Sequence, residues 1–171
     1  MGYRSRLLTS SRARHVLVVD DDASTRETLR GMLRTGAYTV SLAATARAAV
    51  ESVKRHTPNL ALIDLRLTDG TGFDLVRAFA RERISVPWIL MSGFIDYGAA
   101  VEAGRLGALT AVPAGFDVEQ VVSEAFRRVD SGRLWPIPPL KPRLPEPGTS
   151  AEYLAWLMLW QRPPGLSSSR L

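Results

Sequence analysis

The sequence predicts an α/β protein: a doubly wound five-stranded parallel sheet with helices on both faces. Three observations carry that reading. Apolar runs alternate with helical segments five times between His15 and Gly132, the grammar of repeated strand–helix crossovers. The first of them, HVLVVD over 15–20, and the third, LALID over 60–64, are continuous rather than alternating in polarity, which suits strands buried in a parallel sheet. Two of them end in carboxylates, Asp20 and Asp64, at the strand ends where open α/β sheets place their reactive groups.

The elements follow in order. The run HVLVVD predicts a strand over 15–20 that ends in Asp20, Asp21 and Asp22. Ser24-x-x-Glu27 reads as a capping box that opens a helix with Leu29, Met32 and Leu33 on one face. Gly36 is expected to close it in a left-handed conformation. A strand over 38–42 and an Ala-rich helix over 45–56 follow, and Pro58-Asn59 turns the chain into a third strand, LALID, over 60–64. A loop with Gly70 and Gly72 leads to a helix over 73–83 whose inward residues are expected to be Phe73, Val76 and Phe79 or Ala80. A fourth strand is expected over 86–91, running up to Ser92 and with Trp88 in the core, then a helix over 96–106 and a fifth strand over 109–113. Asp117 caps the last helix, with Val118, Val121, Val122, Ala125, Phe126 and Val129 inward, and Gly132 ends it.

Composition excludes several chemistries. The 171 residues include no cysteine, so disulfides, thiolate metal sites and a Cys nucleophile are ruled out. The longest apolar run, Tyr153 to Trp160, is eight residues, too short for a membrane span. Residues 1–14 carry four Arg and no acid, without the apolar stretch of a secretory signal. Arg6 stands where a myristoylation motif needs Ser or Thr. A cytoplasmic protein is expected. The positive charge sits in the tails: residues 15–131 hold 13 basic and 15 acidic residues, while 132–171 hold five basic and two acidic. Nucleic-acid binding would rest on those tails alone.

Five segments are expected: a flexible basic N-terminus over 1–13, the α/β domain over 14–131, a Pro-rich linker over 132–149, an apolar helix over 150–161, and a disordered end over 162–171. Six Pro between Pro136 and Pro147 mark the linker, and Thr149-x-x-Glu152 opens the helix. Its stripe from Tyr153 to Trp160 is apolar almost all round, so it needs a partner surface: this domain, a second protomer or another protein. A membrane is disfavoured because the helix has no basic polar face of its own.

If the strands lie in the order 2-1-3-4-5, the carboxylates of strands one and three converge. Three such groups repel one another unless a hard cation neutralises them, and Mg²⁺ with oxygen ligands fits. One carboxylate could then attack a phosphoryl group, with the Ser92 hydroxyl donating to its oxygens. Each Asp taken singly reads as readily as a turn or cap residue.

The segments VLVVDDDASTRETLRGML, PNLALIDLRLTDGTGFDLV and PWILMSG, then GALTAVPAGFDVEQVV, resemble the response-regulator receiver domain of two-component signalling. The resemblance covers residues 14–131 and implies a flavodoxin-like sheet of order 2-1-3-4-5. It makes Asp64 the phosphoacceptor. It implies Mg²⁺ at Asp20, Asp21, Asp64 and the backbone carbonyl of Arg66, with Asp20 reached through water. Ser92 falls at the switch hydroxyl, Gly72 at the loop glycine, and Thr68 where the family often has Pro. The implied donor is a histidine kinase or a phosphotransfer protein.

The fifth strand departs from the family pattern. Ala111 falls at the switch aromatic, Ala114 at the near-invariant Lys and Gly115 at the Pro that follows it, while Phe116 and Asp117 match. The chain has two lysines, Lys54 and Lys141, one in the second helix and one in the linker. Arg66, two residues beyond Asp64, is the cation with a chance of reaching a phosphate; its plainer reading is an exposed loop Arg. Two functions are carried forward. One is a receiver in a phosphorelay, a signalling module and not an enzyme. The other is a pseudo-receiver acting as a phosphorylation-independent interaction module. The lone histidines, His15 and His56, are expected to be exposed.

Overall fold

The computed structural model describes residues 13–36, 38–93 and 95–132. Along the chain run β1 (His15–Val19), α1 (Ala23–Thr35), β2 (Thr39–Ala43), α2 (Ala46–Arg55), β3 (Leu60–Asp64), α3 (Gly72–Arg81), β4 (Trp88–Ser92), α4 (Tyr97–Arg105), β5 (Thr110–Pro113) and α5 (Val118–Asp130). The strands form one parallel sheet in the order β2-β1-β3-β4-β5, as expected. A two-residue antiparallel pair, Arg66–Leu67 against Gly70–Thr71, bridges the loop after β3. The expected tails and tail helix lie outside the described residues.

Every residue of β1 is buried, and its side chains alternate between two cores. Val16 and Val18 pack with Leu29 and Leu33 of α1 and Val122 and Phe126 of α5. Leu17 and Val19 face the other way, among Ala49 and Val53 of α2, Leu75 and Phe79 of α3 and Ala103 of α4. Trp88 is buried in that second core. Truncating a side chain such as Leu62, fully buried in β3, typically costs about 2–5 kcal/mol.

Four local expectations are corrected. Asp22, not Ser24, caps α1, its carboxylate accepting from the Thr25 N–H (2.6 Å). The acidic end of β1 therefore runs straight into the helix, and Glu27 pairs with Arg30 instead. Gly36 has φ −79°, an ordinary right-handed value. What calls for glycine there is space, because a Cβ would lie 2.8 Å from the Tyr38 ring. That ring stacks on Phe126 at 5.5 Å, and the Arg14 guanidinium sits 4.5 Å from the Phe126 centroid.

In α3 the inward residues are Gly72, Leu75 and Phe79; Phe73 and Val76 are half-buried and Ala80 is exposed. The helix is turned this way because Gly72 lies against the end of β3. A Cβ there would meet the Asp64 carbonyl oxygen and lie 2.8 Å from Ile63 Cγ2.

His15 is buried at 6% exposure, against expectation. Its Nε2 lies 2.8 Å from Ser41 Oγ, its ring centroid is 4.9 Å from that of exposed His56, and its Nδ1 is buried with no hydrogen-bond partner. Burial, then the neighbouring His56, holds its pKa below the usual histidine value. The folded state thus takes up this proton less readily than the unfolded chain. The associated stability is complete above the unfolded pKa of about 6.5 and is lost as pH falls below it. Urea unfolding of the wild type beside His15→Gln is expected to show the wild type losing ground as pH goes from 7.5 to 5.5. Parallel pH profiles for the two proteins would count against this role for His15.

Candidate functional site

The carboxyl ends of β1, β3 and β4 open on one cleft of about 680 Å³, lined by Asp20, Asp21, Asp64, Arg66, Ser92 and Ala114 among others. Register brings them together. Val19 of β1 pairs with Ile63 of β3, so the next residues, Asp20 and Asp64, emerge side by side. Asp64 pairs in turn with Met91 of β4, whose next residue is Ser92. Asp20, Asp21 and Asp64 each present an oxygen within 4.8 Å of the others.

The three carboxylates differ in environment. Asp20 is buried, and its Oδ1 accepts the Asp22 N–H at 2.8 Å. Burial pushes its pKa up, partly opposed by that hydrogen bond. Asp21 is exposed at the rim. Asp64 is half-buried, and its pKa is pushed up to about 6, first by burial and then by the Asp20 carboxylate. The N–H groups of Arg66 (3.1 Å to Oδ2) and Leu65 oppose the rise. Asp22, the third acid of the run, is spent on the α1 cap, and its pKa is held down chiefly by the Thr25 N–H. Three oxygen donors whose charges repel one another suit a hard divalent cation such as Mg²⁺.

The other expected site residues fall around this cluster. Ser92 is buried at the end of β4, and its main-chain oxygen accepts the Ala114 N–H (2.9 Å), joining the loop after β5 to the site. Arg66 is exposed at the cleft wall and makes no ion pair among the described residues. Ala111 is half-buried and packs on the second core. Ala114 is exposed, and Gly115 takes the left-handed φ of +79°. Lys54 is tied to Glu82 at 3.0 Å, and Lys141 lies outside the described residues. Two groups beside the acidic cluster are not predicted from the sequence. Of these, Met32 of α1 shares the cleft lining with Phe116, while Arg26 stands behind it, its guanidinium donating to the Asp20 main-chain oxygen at 2.7 Å.

Fold and site together define an α/β domain with an acidic oxygen-donor cluster where the strand order reverses. Residues 16–125 match the response regulator receiver domain, and the chain belongs to that family. It is 32% identical over 119 residues to the virulence transcriptional regulatory protein PhoP of Salmonella typhimurium, covering 68% of this chain and 53% of that protein. It is 29% identical over 113 residues to the acid tolerance regulatory protein ActR of Rhizobium meliloti, covering 66% and 58%. The chain thus spans about half the length of these curated relatives.

Among solved structures, a CheY-like receiver domain protein from Methanospirillum hungatei superposes with TM-score 0.63 at 24% identity, over 70% of this chain and 95% of that one. Chemotaxis protein CheY4 of Vibrio cholerae does so with TM-score 0.61 at 23% identity, over 67% and 98%. These two likenesses speak to the fold. A receiver domain is a signalling module rather than an enzyme; such domains bind Mg²⁺ at an acidic pocket and interact with histidine kinases. Among the described residues no helix is long and apolar enough to cross a membrane.

The raised pKa of Asp64 has a sign that can be checked. Its ionised form is disfavoured by folding, so at neutral pH without metal the carboxylate costs stability, and the cost fades as pH falls below about 6. Asp64→Asn is expected to raise stability at pH 7.5 in metal-free buffer by about 1 kcal/mol, the full linkage value being discounted for partial exposure. The gain is expected to shrink near pH 5 and to be offset by added Mg²⁺ if the wild-type cluster binds that ion more tightly than the variant. Urea unfolding at the two pH values, with and without Mg²⁺, measures both; a destabilised Asp64→Asn at pH 7.5 would contradict the account.

Proposed function

We propose that this chain is a phosphorelay receiver that accepts a phosphoryl group on Asp64 from a histidine kinase or phosphotransfer protein, in the cytoplasm, through the unit over 14–131. The observation that carries this reading is the convergence of Asp20, Asp21 and Asp64 within 4.8 Å, with Asp64 the one that ends the central strand β3. In the transfer an Asp64 oxygen forms a bond to phosphorus as the P–N bond to the donor imidazole breaks. The electron pair returns to the ring nitrogen, which takes up a proton, and the product is an aspartyl phosphate. Asp20, Asp21, Asp64 and the Arg66 carbonyl would hold Mg²⁺, which supplies positive charge against the phosphoryl oxygens. Buried Ser92 is the hydroxyl closest in register to donate to those oxygens.

A second reading has its own support. With Ala111 and Ala114 on the strand and loop beside the site, and Lys54 held by Glu82, no lysine of the described residues lines the cleft. A phosphoryl group on Asp64 would then lack the cation that in related domains couples it to β5. This favours a pseudo-receiver whose contacts do not depend on phosphorylation. The apolar segment 150–161 is the proposed contact with a second copy or a partner protein under either reading.

Incubation with Mg²⁺ and acetyl phosphate is expected to add one phosphate to the wild type and none to Asp64→Ala, read by intact mass. A folded wild type that stays unmodified would favour the pseudo-receiver, and an adduct on Asp64→Ala would mean that another residue is the acceptor. Ala114→Lys is expected to lengthen the phosphoryl lifetime or enlarge the spectral change that accompanies it, since an ammonium within reach of the phosphate strengthens that contact. An unchanged lifetime and spectrum would remove the missing lysine as the defect.

A further inference from the structure

Asp69 stands five residues beyond Asp64 in the loop between β3 and α3, yet its carboxylate is engaged on another element. Oδ1 accepts the Ala46 N–H at 2.8 Å and Oδ2 the Arg47 N–H at 3.0 Å, both in the first turn of α2. That helix already has its own cap, Thr45, whose Oγ1 accepts the Ala48 N–H at 3.1 Å. Asp69 is therefore a second cap supplied from outside the helix, on N–H groups at the positive end of its dipole. Its pKa is held below the usual carboxylate range, chiefly by the Arg47 N–H.

The loop that carries Asp69 also carries groups that touch Asp64. Arg66 donates its N–H to Asp64 Oδ2 at 3.1 Å, Arg66–Leu67 pair with Gly70–Thr71, and the Gly72 N–H donates to the Leu65 oxygen at 2.9 Å. Leu67 is the one side chain between Leu65 and Thr71 that is buried. The apex at 68–70 is exposed throughout, and Asp69 is what ties it to the rest of the fold.

We propose that Asp69 is a positioning residue for the acceptor: by clamping the loop apex to the N-terminus of α2, it holds the Arg66 N–H against Asp64 and so sets the orientation of that carboxylate. This rests on Asp64 being the acceptor. The competing role is a helix cap that affects stability alone. Thr45→Ala supplies the comparison, because it removes a cap from the same helix end without touching the loop.

The test uses full-length wild type, Asp69→Ala, Asp69→Asn and Thr45→Ala. Three quantities are read: urea unfolding, the rate of phosphate uptake from acetyl phosphate with Mg²⁺, and hydrogen exchange at the Arg66 amide. Both alanine variants are expected to lose stability. Asp69→Ala alone is expected to slow uptake about fivefold or more, as misplacement of a reacting group does, and to speed Arg66 exchange about tenfold. Asp69→Asn, which keeps one acceptor oxygen, is expected to recover part of both. Wild-type uptake and exchange in Asp69→Ala would overturn the proposal, as would an equal effect of Thr45→Ala. If the wild type takes up no phosphate, the reading of Asp64 fails; Arg66 exchange still reports the clamp, and unchanged exchange in Asp69→Ala overturns it.

Discussion

The parallel pairing of β1 with β3 is the contact on which the rest of the molecule depends. It seats β1 inside the sheet, where helices on either side let one strand contribute to two cores, and it sets Val19 opposite Ile63. The next residue on each strand is then a carboxylate at the same edge of the sheet. A slip of one residue would send every β1 side chain to the wrong core. The apolar packing that fixes the register therefore also fixes the distance between Asp20 and Asp64. Packing free energy in this way holds together charges that would separate if left to themselves.

The cost of that arrangement is visible in the site. Asp20 and Asp64 both have raised pKa values, with burial the larger cause in each. Such an acidic pocket is unfinished by itself, and a divalent cation is the ligand that relieves burial and repulsion together. The groups around it are more settled. Asp22 is committed to a helix end, Arg26 to the Asp20 main chain, and the Ser92 carbonyl to the loop after β5. The ends of β1 and β4 supply Asp20, Asp21, Met91 and Ser92 to the cleft. Ala114 and Gly115, in the loop after β5, complete its lining.

The loop after β3 shows how a site can depend on an element that does not line it. The N-terminus of α2 is held by Thr45 and by Asp69 at once, so helix and loop share one electrostatic anchor. The loop backbone is in turn a hydrogen-bond donor to Asp64. Gly72 completes the arrangement by letting α3 approach the end of β3 more closely than a side chain would permit.

Much of this was legible in the sequence, because strand burial, helix periodicity and caps are local properties. Five strand-like runs alternating with helices specify a parallel sheet, and carboxylates at the ends of the first and third specify where its chemistry lies. Asp117 as a cap and the inward face of α5 were readable for the same reason. What tertiary structure decided is whatever depends on residues far apart in the chain. Ser24 and Asp22 are both good caps, and only the run of β1 into α1 chooses Asp22. Gly36 is glycine because of the Tyr38 ring, which Phe126 holds in place from the far end of the domain. Leu75 rather than Phe73 or Val76 is the most buried side chain of the first turns of α3, with Gly72 seated against the end of β3. His15 is buried because β2 and the end of α2 close over it, and Asp69 finds its partners on a helix that precedes it by more than twenty residues. A local pattern states what a residue can do; which of its options is taken depends on neighbours that only the folded chain brings near.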